Sequence, residues 1–269
     1  MPKSLRVWGG LLGLWLWAGQ ADAVSLSTNR PTVKHMLAPG EAIQGSIEVE
    51  NHNARPLSVK VYLEDWRYSD AGDGSKEFAV AGSLPRSCAG WVNVFPQALE
   101  LPAHGRGVVD YTIRVPQGQP LDGGYYAALF FESTIAEGPV QGTGVSVRYA
   151  ARLGSLVLVE VNGTGRHEGR LSSLSVKEPT ASSPLTIHAT LANEGNLSLA
   201  CDGSFHIVAP GDLIMGRGDL PHRYVWPGVS APITTEWRGS VEPGAYTVVI
   251  TYDCGEGLIL VEEAPWAVP

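Results

Sequence analysis

The chain has 269 residues, a formal net charge of −8, and 32 glycines and 19 prolines. Acidic and with its charges scattered, it is a poor partner for nucleic acid or anionic membranes. So much glycine and proline fits many short strands joined by turns.

The chain opens with Lys3 and Arg6, then a short uncharged run from Val7 to Ala18, then Ala21-Asp22-Ala23. That order is a basic n-region, a short apolar core and a small-x-small cleavage pattern, and it predicts a signal peptide over 1–23 with the mature chain starting at Val24. An apolar run of about 12 residues is short of the roughly 20 that span a bilayer. No later segment is apolar and long enough to cross. Cleavage removes a net +1 and takes −8 to −9.

Alternating strands, not helices, fill the mature chain. Strands are predicted near 24–28, 43–51, 57–66, 91–94, 97–101, 107–115, 125–133 and 145–161. Turns fall at Pro39-Gly40, at 51–56 and at 102–105. Asp70-Ala71-Gly72-Asp73-Gly74 has part of a calcium-loop pattern but lacks its alternating ligands and terminal Glu, so it reads as an acidic turn. Tyr125 to Phe131 is apolar on both faces and should be a central, buried strand. A loop from Glu137 to Gly144 comes next. The last strand carries Val145, Val147, Tyr149, Ala151 and Leu153 on one face and Ser146, Arg148, Ala150 and Arg152 on the other. It either closes a sandwich, its stripe covered by the opposite sheet, or leaves an edge for another chain.

The polar, glycine-rich segment 162–169 is the linker candidate. A second series of strands is predicted near 170–176, 184–193, 204–208, 231–237, 245–252 and 257–262. The fold expected is all-β: two tandem immunoglobulin-like β-sandwiches, over 24–161 and 170–269, after a cleaved signal peptide.

Of the three cysteines, Cys201 and Cys254 fall at predicted strand ends in an exported chain. That favours a bridge over two buried thiols and leaves Cys88 over. No catalytic constellation is present: no G-x-S-x-G, H-E-x-x-H, P-loop or G-x-G-x-x-G after a strand. The seven histidines are isolated, mainly in turns, with His188 on the polar face of its strand. No metal, cofactor or enzymatic activity is expected. Arg217-Gly218-Asp219 reads as a turn. Asn162-Gly163-Thr164 and Asn196-Leu197-Ser198 are glycosylation sequons.

Val24 to Arg30, Leu37-Ala38-Pro39-Gly40-Glu41, Trp91 to Pro96 with Leu99 to Pro102, and the Gly107 to Arg114 strand resemble the N-terminal domain of PapD-like periplasmic pilus-assembly chaperones. The resemblance covers about 24–161. It implies a periplasmic chaperone that binds an exported, pilin-like subunit by strand addition, with an outer-membrane usher as further partner. The matching positions are Arg30 and Arg152, which would hold the subunit's terminal carboxylate, and the stripe Val145, Val147 and Tyr149, which would fill its missing strand. A guanidinium fork suits a carboxylate. Pro31 departs from the pattern by limiting pairing after Arg30. Pro120 to Tyr126 and Glu242 to Val248 look more like a broader set of exported immunoglobulin-like envelope proteins. The rival reading is therefore a structural or adhesive envelope module, secreted or at the cell surface, with both sandwiches closed.

Overall fold

The structure, a computed structural model, describes residues 24–139, 146–180 and 183–268, with 135–139 and 146–149 described by backbone alone. The signal segment and Val145 lie outside the described residues.

The first part of the chain forms β1 (Leu26–Thr28), β2 (Thr32–Leu37), β3 (Ala42–Asn51), β4 (Leu57–Tyr68), β5 (Lys76–Val80), β6 (Val92–Phe95), β7 (Ala98–Leu101), β8 (Arg106–Arg114), β9 (Gly124–Pro139) and β10 (Ser146–Val161). One sheet runs β1-β3-β8-β6, and the facing sheet runs β2-β10-β9-β4-β5, with β7 also on β4. Alternation buries one side of each sheet: Ile47, Val49, Val109 and Ile113 meet Val59, Val61, Leu129, Phe131, Val157 and Val159 in one core. The predicted central strand 125–133 is β9, which lies between β10 and β4.

The chain then makes β11 (Gly169–Lys177), β12 (Leu185–Asn193), β13 (Leu199–Ala209), β14 (Leu213–Val225), β15 (Ser230–Trp237), β16 (Gly244–Asp253) and β17 (Ile259–Val268). Sheet β11-β12-β15 faces sheet β14-β13-β16-β17 over Ile187, Leu191, Phe205, Ile207, Val248, Ile250 and Tyr252. The chain is thus two immunoglobulin-like β-sandwiches in tandem. The second is bridged along both sides: Glu262 Oε1 accepts from the Leu174 N–H at 3.4 Å, and Arg223 Nε donates to the Pro232 carbonyl at 2.8 Å.

Several local expectations change. Pairing does not stop at Pro31. The chain leaves the first sheet after β1 and enters the other as β2, parallel to β10 with Leu156 opposite Thr32 and Val161 opposite Leu37. Proline has no N–H to give, but its carbonyl accepts from the Leu156 N–H at 2.9 Å, so the switch point is still bonded. β5 was not anticipated, because most of its residues are exposed and its sequence lacks an apolar stripe. Arg217-Gly218-Asp219 is strand, not turn: it lies within β14, opposite His206, Phe205 and Ser204. Gly218 is there because a Cβ would lie 2.6 Å from the Phe205 ring. His35, His206 and His222 lie on strands rather than in turns. Glu137 to Pro139, expected as loop, continue β9 opposite Arg148 to Ser146.

Candidate partner-binding edge and interdomain cleft

β10 pairs with β9 along its whole length, but β2 covers its other side only from Leu156 onward. Leu156 and Asn162 send their N–H groups to the β2 side, while Val161 bonds Gly123 on the β9 side. Even-numbered residues therefore face β2. By the same alternation the N–H and C=O groups of Gly154, Arg152 and Ala150 face an edge on which no described strand sits. A long unpaired edge is what folded β proteins ordinarily cover or shorten. In the first sandwich β1 is 3 residues long and β6 is 4.

Arg30 stands where this edge begins. Its N–H donates to Thr28 Oγ1 at 3.2 Å, and its carbonyl accepts from Ser155 Oγ at 2.7 Å. Among the described residues its guanidinium has no carboxylate partner, and it is exposed. Arg152 is three residues further along β10, roughly 10 Å at strand spacing. Its guanidinium reaches across β9 rather than toward Arg30. Nη2 lies 2.7 Å from Glu64 Oε2 on β4, and the group sits 3.8 Å from the centre of the Phe130 ring. Tyr62 and Phe78 flank it at 5.7 and 5.9 Å. The two arginines share an edge but do not form a two-pronged clamp in this state. Val147 lies opposite Gly138 and Tyr149 opposite Ala136 by backbone register.

Local electrostatics follow burial. Tyr62 donates to Glu132 Oε2 at 2.6 Å, and desolvation together with that bond pushes its phenol up to about 12. His35 faces inward on β2, with Nε2 3.3 Å from the Tyr111 hydroxyl. Its pKa is lowered, first by desolvation and then by the charge of Arg30.

The other face of β10 meets the second sandwich. Leu156 and Leu158 pack with Trp66, Tyr126, Ala128 and Phe130, and Trp226 of the second sandwich joins them. This explains why Leu156 to Val159 is apolar on both sides: Val157 and Val159 serve the core, Leu156 and Leu158 the interface. The Trp226 ring centre is 4.2 Å from that of Tyr126, and the Tyr68 and Tyr224 rings are 4.8 Å apart. The Asp70–Gly74 turn docks here: the Gly72 carbonyl accepts from the Tyr224 N–H at 3.0 Å.

Asn196 pins the two sandwiches at the linker. It is 1% exposed. Its amide donates to Asp122 Oδ2 at 2.8 Å and to the Thr164 carbonyl at 2.9 Å, and its Oδ1 accepts from the Arg166 N–H at 2.7 Å. The sequon at Asn196 is thus closed to modification in the folded chain. Sequence reasoning read Asn196 only as a sequon, because its partners lie 30 to 74 residues away.

Beside this pin lies a cavity of about 300 Å³, lined by Lys34, Met36, Tyr126, Leu158, Glu160 and Glu256 among others. Sequence reasoning missed Lys34 and Met36 because it missed β2. Among the described residues no group of three or more His, Cys, Asp or Glu is placed to hold a metal. No described helix is long and apolar enough to cross a membrane.

Cys201 and Cys254 are joined by a disulfide across β13 and the end of β16, one step beyond the Asp202–Asp253 pair. Cys88 is a buried free thiol, its pKa raised by desolvation and by the nearby charge of Asp65.

No protein-family model matches the chain, and no curated protein matches it. Among solved structures it is similar to a chain of a chaperone–tip adhesin complex of CFA/I fimbriae biogenesis, at 13% identity and TM-score 0.48 over 89% of this chain and 98% of that one. It is similar to the class 5 fimbriae chaperone CfaA at 14% identity and TM-score 0.45, over 91% and 100%. The E. coli chaperone DraB gives 12% identity and TM-score 0.41, over 91% and 99%.

Proposed function

We propose that this protein is a periplasmic chaperone or assembly factor that captures an exported, pilin-like polypeptide by strand addition along the open edge of β10. The observation that carries the reading is the stretch of β10 before Leu156 that no described strand covers, with the N–H and C=O groups of Ala150, Arg152 and Gly154 facing outward. An extended segment laid there would gain main-chain hydrogen bonds, with alternate side chains giving specificity. Arg30, exposed and without a carboxylate partner among the described residues where β2 takes over, is the free base for the partner's terminal carboxylate. Arg152 joins it by exchanging Glu64 for that carboxylate. Val145, Val147 and Tyr149 supply the stripe that fills the partner's groove. An outer-membrane usher then receives the complex.

The test exploits the direction of the open N–H groups. Ala150→Pro removes an N–H that faces no strand among the described residues, so the sandwich should form and strand addition should be blocked. Wild type, Ala150→Pro and the Arg30→Ala/Arg152→Ala double variant are each expressed in the periplasm, and co-purifying proteins are identified by mass spectrometry. A discrete exported partner with the wild type, lost from both variants while their far-UV circular dichroism is unchanged, is the expected result. Undiminished capture by Ala150→Pro rules out the edge, and undiminished capture by the double variant rules out the arginine anchor.

A further inference from the structure

We propose that the cavity between the sandwiches is a socket for a basic side chain, lysine or arginine, of the bound polypeptide. It lies further along β10 than the edge assigned above, at Leu158 and Glu160, and it rests on that reading only for the identity of the polypeptide.

Both sandwiches and the segment between them contribute to the cavity, whose volume is about 300 Å³. β2 gives Lys34 and Met36, β10 gives Leu158 and Glu160, and β9 gives Tyr126. The linker gives Gly165 and His167. The second sandwich gives Leu197 and Glu256. Lys34 lies directly opposite Leu158, which lies opposite Tyr126, and Met36 lies opposite Glu160. Apolar Tyr126, Leu158 and Leu197 and charged Lys34, Glu160 and Glu256 thus share one lining.

Lys34, Glu160 and Glu256 form no ion pair with one another or with other described residues. Two carboxylates against one ammonium leave the rim one negative charge in excess, so one added cation balances it. A lysine or arginine side chain fits that layout: its aliphatic stem lies on Leu158, Leu197 and the Tyr126 ring, and its head meets the carboxylates. An acidic or purely apolar side chain matches only part of the lining.

Two local features bear on the carboxylates. Gly165 has no side chain where one would lie 2.4 Å from Glu160 Oε1 and 2.8 Å from Leu197 Cδ1. Substitution there would push both residues into the cavity. Glu256 sits at φ 53° between Gly255 at 74° and Gly257 at 81°, a left-handed turn begun directly after the bridged Cys254. That turn presents Glu256 to the cleft rather than folding it back on its own sheet.

The experiment is a titration of the isotopically labelled full-length mature protein, followed by NMR. The probes are N-acetyl-lysine methylamide and N-acetyl-arginine methylamide, with the norleucine and glutamate analogues as controls. The basic probes should shift resonances of Tyr126, Leu158 and Leu197, and the controls should not. Glu160→Gln and Glu256→Gln should each weaken the shift by roughly fivefold, the size of one partly desolvated ion pair. Glu256 is exposed on a turn, so its variant decides the matter even where Glu160→Gln fails to fold. Equal shifts from norleucine, no cleft shift from either basic probe, or titrations unaffected by Glu256→Gln would overturn the proposal. None of those outcomes touches the open edge, which the Ala150→Pro capture experiment tests separately.

Discussion

The Arg152 guanidinium lies 3.8 Å from the centre of the Phe130 ring, and its Nη2 lies 2.7 Å from Glu64 Oε2. A residue on the open edge is thus held by a ring on β9 and a carboxylate on β4. Its side chain is 37% exposed, so solvent screens the pair. Truncation to Ala is expected to lower stability by about 1 kcal/mol, the sum of a modest cation–π contact and a partly exposed ion pair. Lys should recover only part of this, because it lacks the planar fork. Urea unfolding of the two variants against wild type checks both.

Asn196 is a second point of leverage. Asn196→Ala strips partners from Asp122, the Thr164 carbonyl and the Arg166 N–H at once. Leaving such groups unsatisfied should cost about 2 to 3 kcal/mol. The loss should come with freer movement between the sandwiches, since these bonds join the second sandwich to the linker and to the approach to β9. Small-angle scattering should show a broader distance distribution, and denaturant unfolding should separate into two steps.

The Cys201–Cys254 bridge closes a loop with a sequence separation of 53. Loop-closure entropy for that length predicts about 4 kcal/mol lost on reduction or on double substitution by Ala. The loss should appear as a lower midpoint in reducing buffer. Cys88, buried with its thiol pKa raised, should be inert to thiol reagents in the native protein and react once it is unfolded.

His35 predicts the acid side of the stability profile. Its folded-state pKa is lowered from 6.5 by desolvation and by Arg30. The unfolded chain therefore takes up the proton more readily. The contribution is fully present above 6.5 and is lost as the pH falls through the folded value. His35→Gln should flatten stability measured from pH 8 to pH 5, and Arg30→Ala should flatten it in part.

Tyrosine ionisation covers the alkaline side. Tyr62, Tyr68 and Tyr252 are each raised to about 12, in every case chiefly by burial. A raised phenol stabilises the fold below the ordinary pKa of 10, and that stability is lost as the pH rises from 10 through about 12. Spectrophotometric titration should show a late-ionising group of tyrosines in the native protein, absent after unfolding.

Much of this molecule was legible without coordinates, because strand period and turn chemistry are local. Alternation placed β3, β4, β8, β12 and β16 close to their bounds, and a strand apolar on both faces announced the central place of β9, which runs on past its predicted end to Pro139. Residues of β2 and β5 gave little sign, since exposed or switched strands need no apolar stripe. Gly218 looked like a turn residue although it serves the ring of Phe205 on the neighbouring strand.

By itself the sequence determined the all-β character and many of the strands, consequences of side-chain period and of where glycine and proline fall. Only the tertiary structure decided which side of β10 stays open, that Arg152 turns to Glu64 and Phe130, and that Lys34, Glu160 and Glu256 surround one cavity. Those facts depend on register and on the packing of one sandwich against the other. They join residues up to about 220 positions apart, a range over which no local pattern carries information.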